Sequence, residues 1–201
     1  DNNRINDAAY LKKCNEDLSL PLLNGATQTQ LAPGSSFKPI SSIASLEEKV
    51  LDLSTVIDCT GKYEEVTPNI RCWIWPSHHG NETLVDGIKN SCNYFFADLG
   101  HRLATDAEGN YNAELGMERI RKYASDFGLN EKSGIELDEA EPRISDYDPE
   151  RSAMGQGNHA FNTAQLAKYI TAVANGGNLY NLSIVDKIAD PKGKTVEEVG
   201  A

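Results

Sequence analysis

The chain has 201 residues, of which 39% are apolar and 24% charged, enough for one sizeable core. Its net charge of −11 argues against nucleic acid or an anionic membrane surface as partner, since both attract basic patches. No apolar run approaches the length of a bilayer span, and no signal peptide stands at the start, so a trimmed piece of something longer is expected.

The first stretch, Asp1–Thr29, is polar and Asn-rich, with one helix expected around Asp7–Cys14 and a turn at Pro21–Gly25. Leu31-Ala32-Pro33-Gly34-Ser35-Ser36-Phe37-Lys38-Pro39 follows. A Pro-Gly turn breaks the chain there, and Phe37, Ile40, Ile43, Ala44 and Leu46 then recur at three- and four-residue spacing, the mark of a helix with one buried face. Pro39 is tolerated only in a first turn, which sets the helix start near Ser35. Positions i and i+3 share a helix face, so the Lys38 amine can reach the Ser35 hydroxyl. Free N–H groups of the first turn would surround that hydroxyl with donors. A serine needs a base to become a nucleophile, and a desolvated lysine can serve. By itself a Ser-x-x-Lys occurs roughly once by chance in a chain of this size.

Val56 to Gly80 has no helical period and reads as loop with short strands, punctuated by Thr60-Gly61, Thr67-Pro68-Asn69 and Pro76. Its run Cys72-Trp73-Ile74-Trp75 reads as core or interface filler. A second helix is expected over Thr83–Lys89, with Leu84, Val85 and Ile88 on one side. The polar break Asn90-Ser91-Cys92-Asn93 separates it from a deeply buried helix beginning Tyr94-Phe95-Phe96; on local grounds the break is a cap, with Ser91 or Asn93 at the N-cap.

Glu114–Phe127 is amphipathic, with Ile120, Tyr123, Ala124 and Phe127 on one face and Gly128 as its stop. From Asn130 to Arg151 eight acids face three basic residues, which reads as a solvated acidic loop region. Pro142–Asp148 is loop, Gly155-Gln156-Gly157 a turn, and Thr163–Ala174 a helix with Leu166, Ile170 and Val173 inward. Leu179–Ile188 reads as one or two strands, Asp190–Gly193 as a tight turn and Thr195–Val199 as a returning strand.

The four cysteines are Cys14, Cys59, Cys72 and Cys92. No Cys-x-x-Cys pair exists and His78-His79 lack partners at zinc-finger spacing, so no structural zinc site is expected. Cys59 and Cys72 flank a turn-rich loop and form the candidate disulfide pair for an oxidising compartment, although spacing leaves connectivity open.

Several of these landmarks together resemble one family. Pro33-Gly34-Ser35-Ser36-Phe37-Lys38 looks like the active-site serine motif of the transpeptidase domain of penicillin-binding proteins, most closely the monofunctional class B type. Ser91-Cys92-Asn93 stands where that family has its Ser-x-Asn motif, followed by an aromatic-rich helix. The segment Cys59-Thr60-Gly61 to Cys72-Trp73 and His79-Gly80 is similar to the loop preceding Ser-x-Asn. Phe127-Gly128-Leu129 with Gly134-Ile135-Glu136-Leu137, and Gly155-Gln156-Gly157 with Thr163-Ala164-Gln165-Leu166-Ala167 and Ala174-Asn175-Gly176-Gly177, match further family segments in order over roughly 150 residues.

The resemblance implies an α+β, helix-rich fold of the penicillin-binding protein and serine β-lactamase type, with residues 1–201 forming part of one transpeptidase domain. The third family motif, Lys-Thr-Gly or Lys-Ser-Gly on a core strand towards the C-terminus, is not found; Lys194-Thr195 is followed by Val196. The expectation is an internal fragment without much of the central antiparallel sheet, itself nearly inactive. The implied chemistry is acyl transfer on peptidoglycan stem peptides ending in D-Ala-D-Ala, with Ser35 as nucleophile, Lys38 as base, Ser91 as proton relay and Asn93 holding lysine and substrate. No cofactor and no metal are implied. β-Lactam antibiotics are the implied covalent inhibitors, other cell-wall synthesis proteins the implied partners, and the outer face of the bacterial cell membrane the implied location. A D,D-carboxypeptidase, β-lactamase or β-lactam sensor of the same fold is the first alternative, and a catalytically silent scaffold the second.

Overall fold

A computed structural model describes residue 4 and residues 7–198. In chain order the elements are α1 (Ala8–Glu16), α2 (Lys38–Glu47), β1 (Ile57–Cys59), β2 (Lys62–Tyr63), β3 (Ile70–Arg71), β4 (Gly80–Glu82), α3 (Leu84–Lys89), α4 (Asn93–Leu103), α5 (Ala113–Asp126), α6 (Pro149–Ala153), α7 (Thr163–Ala174), β5 (Lys187–Ala189) and β6 (Thr195–Glu198). The strands form three antiparallel pairs, β1 with β4, β2 with β3, and β5 with β6. This is the helix-rich α+β architecture expected from the sequence. The position Val199 of the expected returning strand lies outside the described residues.

The helix starts are set by side chains that satisfy orphan N–H groups. Asp7 caps α1 and Asn112 caps α5, while Thr83 with Asp86 and Asn162 with Gln165 form capping boxes at α3 and α7. One helix was not anticipated. Pro149–Ala153 forms the short α6, capped by Asp148 in a left-handed backbone conformation (φ 56°).

Helix α4 is the axis of the molecule. Its Phe95, Phe96, Ala97 and Leu99 enter one apolar cluster with Cys59, Tyr63, Cys72, Cys92 and Leu84. Its Leu103 enters a second with Phe37, Ile40, Ala44, Ile120, Leu129, Phe161 and Tyr169. A fully buried aromatic ring contributes about 3–5 kcal/mol by the cost of truncation, so the two clusters hold α4 and α2 in fixed relation. α6 crosses α4 at Gly100, where an added Cβ would lie 2.4 Å from the Pro149 carbonyl oxygen.

Two inward faces differ from expectation. In α7 the buried residues are Ala164, Gln165, Lys168, Tyr169 and Ala172, whereas Ile170 and Val173 are 42% and 39% exposed. The buried stripe is set by polar groups with internal partners: Gln165 donates to the Ala140 carbonyl, Lys168 to Glu131 and Asn181, and the Tyr169 hydroxyl to the Ser36 carbonyl. In α3, Leu84 and Gly87 face inward, while Val85 and Ile88 are 64% and 44% exposed; the absence of a side chain at Gly87 lets the Phe95 ring close on the helix. The acidic region is likewise not uniformly solvated. Glu139 is buried, accepting from Ser133 N and Oγ and from Asn162 Nδ2. Glu150 is 2% exposed and meets His101 Nδ1 at 3.0 Å. Leu179–Asn181 is coil, and the only strand of that expected stretch begins at Lys187.

Candidate active site

Ser35 lies in a single 3-10 turn, Gly34–Phe37, that runs directly into α2. A 3-10 turn has three residues per turn, so Ser35 and Lys38 stack one above the other. The turn is anchored from three sides. Gly34 N donates to the Gly155 carbonyl at 2.9 Å, Ser36 Oγ to the Pro33 carbonyl at 2.8 Å, and the Tyr169 hydroxyl to the Ser36 carbonyl at 2.8 Å. Gly155 is required there: its φ is +81°, and a Cβ would fall 1.9 Å from the Gly34 carbonyl oxygen.

Ser35 is exposed, while Lys38 is 2% exposed. The Lys38 ammonium spends its three donors on Ser91 O at 2.7 Å, Ser91 Oγ at 2.9 Å and Asn93 Oδ1 at 3.0 Å. Ser91 Oγ in turn donates to Ser35 Oγ at 2.8 Å. The amine is therefore connected to the Ser35 hydroxyl through Ser91, and all four residues singled out in the sequence meet in one hydrogen-bonded chain. Burial lowers the Lys38 pKa to about 8, against the opposing pull of negative charge at Cys92, Cys72 and Glu82. About a tenth of the amine is then neutral at pH 7, against less than about one part in a thousand for an ordinary lysine.

The other side of the site is a strained turn between α3 and α4. Ser91 has φ +50°, a conformation that costs an L-residue roughly 1 kcal/mol or more, and the Lys38 bond to its carbonyl supports it. The helix N-cap is Cys92, not Ser91 or Asn93: its Sγ accepts from Phe95 N at 3.4 Å. Capping by the middle residue frees both flanking side chains to face Lys38.

Gly34, Ser35, Ser91 and Asn93 line an open cleft of about 340 Å³ together with Trp73, Met154 and Gln156. The last three were not singled out. Trp73 is 64% exposed, its Nε1 donating to the Asn90 carbonyl at 3.0 Å, so it is a cleft wall rather than core filler. No local signal marked it, since Trp73 stands 17 residues before Asn90 in the sequence. All four cysteines are free thiols, so the candidate Cys59–Cys72 disulfide is not formed. No helix among the described residues is long and apolar enough to cross a membrane.

Comparison with known proteins gives the following. Residues 1–200 match the family described as Transpeptidase: Penicillin binding protein transpeptidase domain. The chain is 33% identical to Stage V sporulation protein D of Bacillus subtilis over 79% of this chain and 24% of that protein. It is 27% identical to Peptidoglycan D,D-transpeptidase MrdA of Haemophilus influenzae over 84% of this chain and 26% of that protein. The fold matches penicillin-binding protein A of M. tuberculosis, solved as an imipenem acyl-enzyme complex, with a TM-score of 0.81 at 20% identity, covering 96% of this chain and 43% of that one. The chain thus spans about a quarter of the length of the curated relatives it matches.

Proposed function

Because the chain belongs to the penicillin-binding protein transpeptidase domain family, we propose that it carries the acyl-serine site of a peptidoglycan D,D-transpeptidase. Ser35 Oγ attacks the carbonyl between the two terminal D-alanines of a stem peptide. Its proton passes to neutral Lys38 through the Ser91 hydroxyl, which accepts from one group as it donates to the other. Ser91 then returns a proton to the departing D-alanine amine. An amine from a neighbouring stem peptide resolves the acyl-enzyme and forms the cross-link. Asn93 holds the lysine through its Oδ1 and leaves its amide N–H groups for the substrate. The observation that carries this reading is the chain from Lys38 Nζ through Ser91 Oγ to Ser35 Oγ, with links of 2.9 and 2.8 Å. The lowered lysine pKa supports it, since a base must be neutral to accept.

The developing oxyanion needs preorganised donors. The Ser35 backbone N–H is one; the family resemblance assigns the other to a Lys-Thr-Gly or Lys-Ser-Gly strand. The tripeptide Lys132-Ser133-Gly134 is not that strand: it is coil, Ser133 Oγ is bonded to Glu139, and none of the three lines the cleft. Loss of one such donor costs roughly 10²–10³-fold. We therefore propose that residues 1–201 form part of a transpeptidase domain in a longer parent, that the 201 residues alone acylate slowly, and that the parent works at the outer face of the cell membrane beside other cell-wall synthesis proteins. β-Lactams mimic the substrate and would stop at the acyl-serine.

The test is labelling of the parent protein with a fluorescent penicillin. A stable adduct on the peptide containing Ser35, absent from Ser35→Ala, is expected. Rapid release of hydrolysed penicillin would instead identify a β-lactamase, and absence of any adduct would leave a non-catalytic scaffold.

A further inference from the structure

Three cysteines and a histidine that are far apart in sequence converge directly behind the Ser91–Asn93 turn. Cys59 ends β1, opposite Gly80 on β4, which places His79 beside it. Cys72 follows β3 and is held by its N–H bond to the Gly61 carbonyl at 2.9 Å. Cys92 caps α4. The three thiols are 0–2% exposed and the His79 side chain 9%. Their four donor atoms all lie within 4.8 Å of one another. Cys72 Sγ is 3.8 Å from Cys92 Sγ and 3.6 Å from His79 Nδ1, and Cys59 Sγ is 3.8 Å from His79 Nδ1.

Those separations are informative. Four tetrahedral ligands with metal–sulfur bonds of about 2.3 Å and a metal–nitrogen bond of about 2.0 Å have donor atoms about 3.5–3.8 Å apart. A disulfide needs sulfurs at about 2.05 Å and would use two of the three thiols, leaving the third and the imidazole without a role. A buried polar group beside the cluster has an open acceptor. The Glu82 carboxylate is 2% exposed; its Oε1 accepts from Asn90 Nδ2, but its Oε2, 3.9 Å from His79 Nδ1, has no hydrogen-bond partner. Zn²⁺ with three thiolates would carry a single net negative charge, and the Lys38 ammonium, which feels Cys92, Cys72 and Glu82, is the positive charge beside it. The sulfurs are also oriented for thiolate ligation. Backbone N–H groups of Tyr94, Ile74 and Asn93 face Cys72, and Phe95 N donates to Cys92 Sγ at 3.4 Å, the kind of donors a thiolate sulfur accepts.

We infer that Cys59, Cys72, His79 and Cys92 form a structural zinc site. A closed set of soft thiolates with one imidazole and little solvent access suits Zn²⁺ among biological divalent ions. Binding releases three thiol protons to solvent and uses the Nδ1 lone pair of His79, whose ring proton stays on Nε2. The absence of zinc-finger spacing, which argued against zinc in the sequence, does not bear on this site, because β-strand pairing and the α4 cap bring the ligands together. The metal would tie the β1–β4 loop to the residue between Ser91 and Asn93, and so fix the turn that presents both to Lys38. That consequence rests on the function proposed above; the metal site does not.

The test measures metal on the reduced protein purified without chelators. One zinc per chain by mass spectrometry of the metal is expected, unchanged in Cys14→Ser and weakened more than about tenfold in Cys59→Ser or Cys72→Ser. Cobalt(II) titration of the unmodified protein avoids reliance on variants that fail to fold: a thiolate charge-transfer band with intense tetrahedral d–d bands, saturating at one equivalent and displaced by zinc, is expected. A cobalt spectrum lacking the thiolate band, substoichiometric zinc in the reduced protein, or a Cys72–Cys92 disulfide in the protein as isolated would each overturn the inference. If zinc binds but its removal leaves penicillin labelling unchanged, the metal site stands and its influence on Ser91 and Asn93 does not.

Discussion

The Ser91 hydroxyl donates a hydrogen bond to Ser35 Oγ over 2.8 Å, across 56 residues of chain. The same oxygen accepts from Lys38 Nζ, so the hydrogen-bonded path from Lys38 to Ser35 runs through Ser91, the route that the proposed mechanism uses. Replacing Ser91 by alanine cuts that route without disturbing the exposed Ser35. Penicillin acylation of the parent protein should slow by about 10²–10⁴-fold, while the folding transition moves little. Stopped-flow labelling beside a thermal melt checks both.

Lys38 gives a pH signature. Its pKa of about 8 predicts acylation that rises with pH and levels off above about 8, because only the neutral amine accepts a proton. Lys38→Arg, which cannot deprotonate, should abolish that limb and lower the rate more than about 10³-fold. Stability shares the sign: between about pH 8 and 10.5 the unfolded chain holds a proton at Lys38 that the fold does not, so stability rises with pH through that window. Denaturant titrations of wild type against Lys38→Met across the window report the difference.

His159 acts at the acid end. It is 3% exposed, accepts from Ser145 N at Nδ1 and meets the Ser152 carbonyl at Nε2, which fixes the neutral Nε2–H form. Its ring packs between Phe37 and Phe161, directly beneath the nucleophile turn. Burial lowers its pKa to about 4, against a smaller opposing contribution from the Ser152 carbonyl. The unfolded chain therefore takes up a proton first as pH falls below about 6.5, and stability drops until about pH 4. The stability gap between wild type and His159→Gln should shrink by up to about 3 kcal/mol over that range, read from denaturant midpoints.

Gly155→Ala tests the anchor of the nucleophile. The added Cβ would meet the Gly34 carbonyl oxygen at 1.9 Å on a backbone with φ +81°. Neither strain can be relieved without moving the Pro33–Ser36 turn. A destabilisation of about 2 kcal/mol or more is expected, with acylation slowed beyond what the lost stability explains. Gly176→Ala shares a positive φ but has nothing within 4 Å of the added Cβ, so it controls for backbone strain alone.

Much of the site was legible locally. The Pro-Gly turn, the position of Pro39 and the apolar period after Phe37 put Ser35 and Lys38 on one face, and α7 spans Thr163–Ala174 as its pattern requires. The Ser91–Asn93 break was visible as an anomaly, but its geometry was not. Alternation of apolar residues misassigned the inward faces of α3 and α7, because the buried stripe there includes Gly87, Gln165 and Lys168, whose burial depends on partners elsewhere in the chain.

The sequence by itself determined the helices, the turn that exposes Ser35 and the family resemblance, since capping, periodicity and turn chemistry act over a few residues. Only the tertiary structure decided that Lys38 meets Ser91 and Asn93, 53 and 55 residues away, and that Cys59, Cys72, His79 and Cys92 share one buried corner. Those meetings follow from the packing of α2 against α4 and from the β1–β4 pairing, and close packing, unlike local propensity, is a property of all the segments at once.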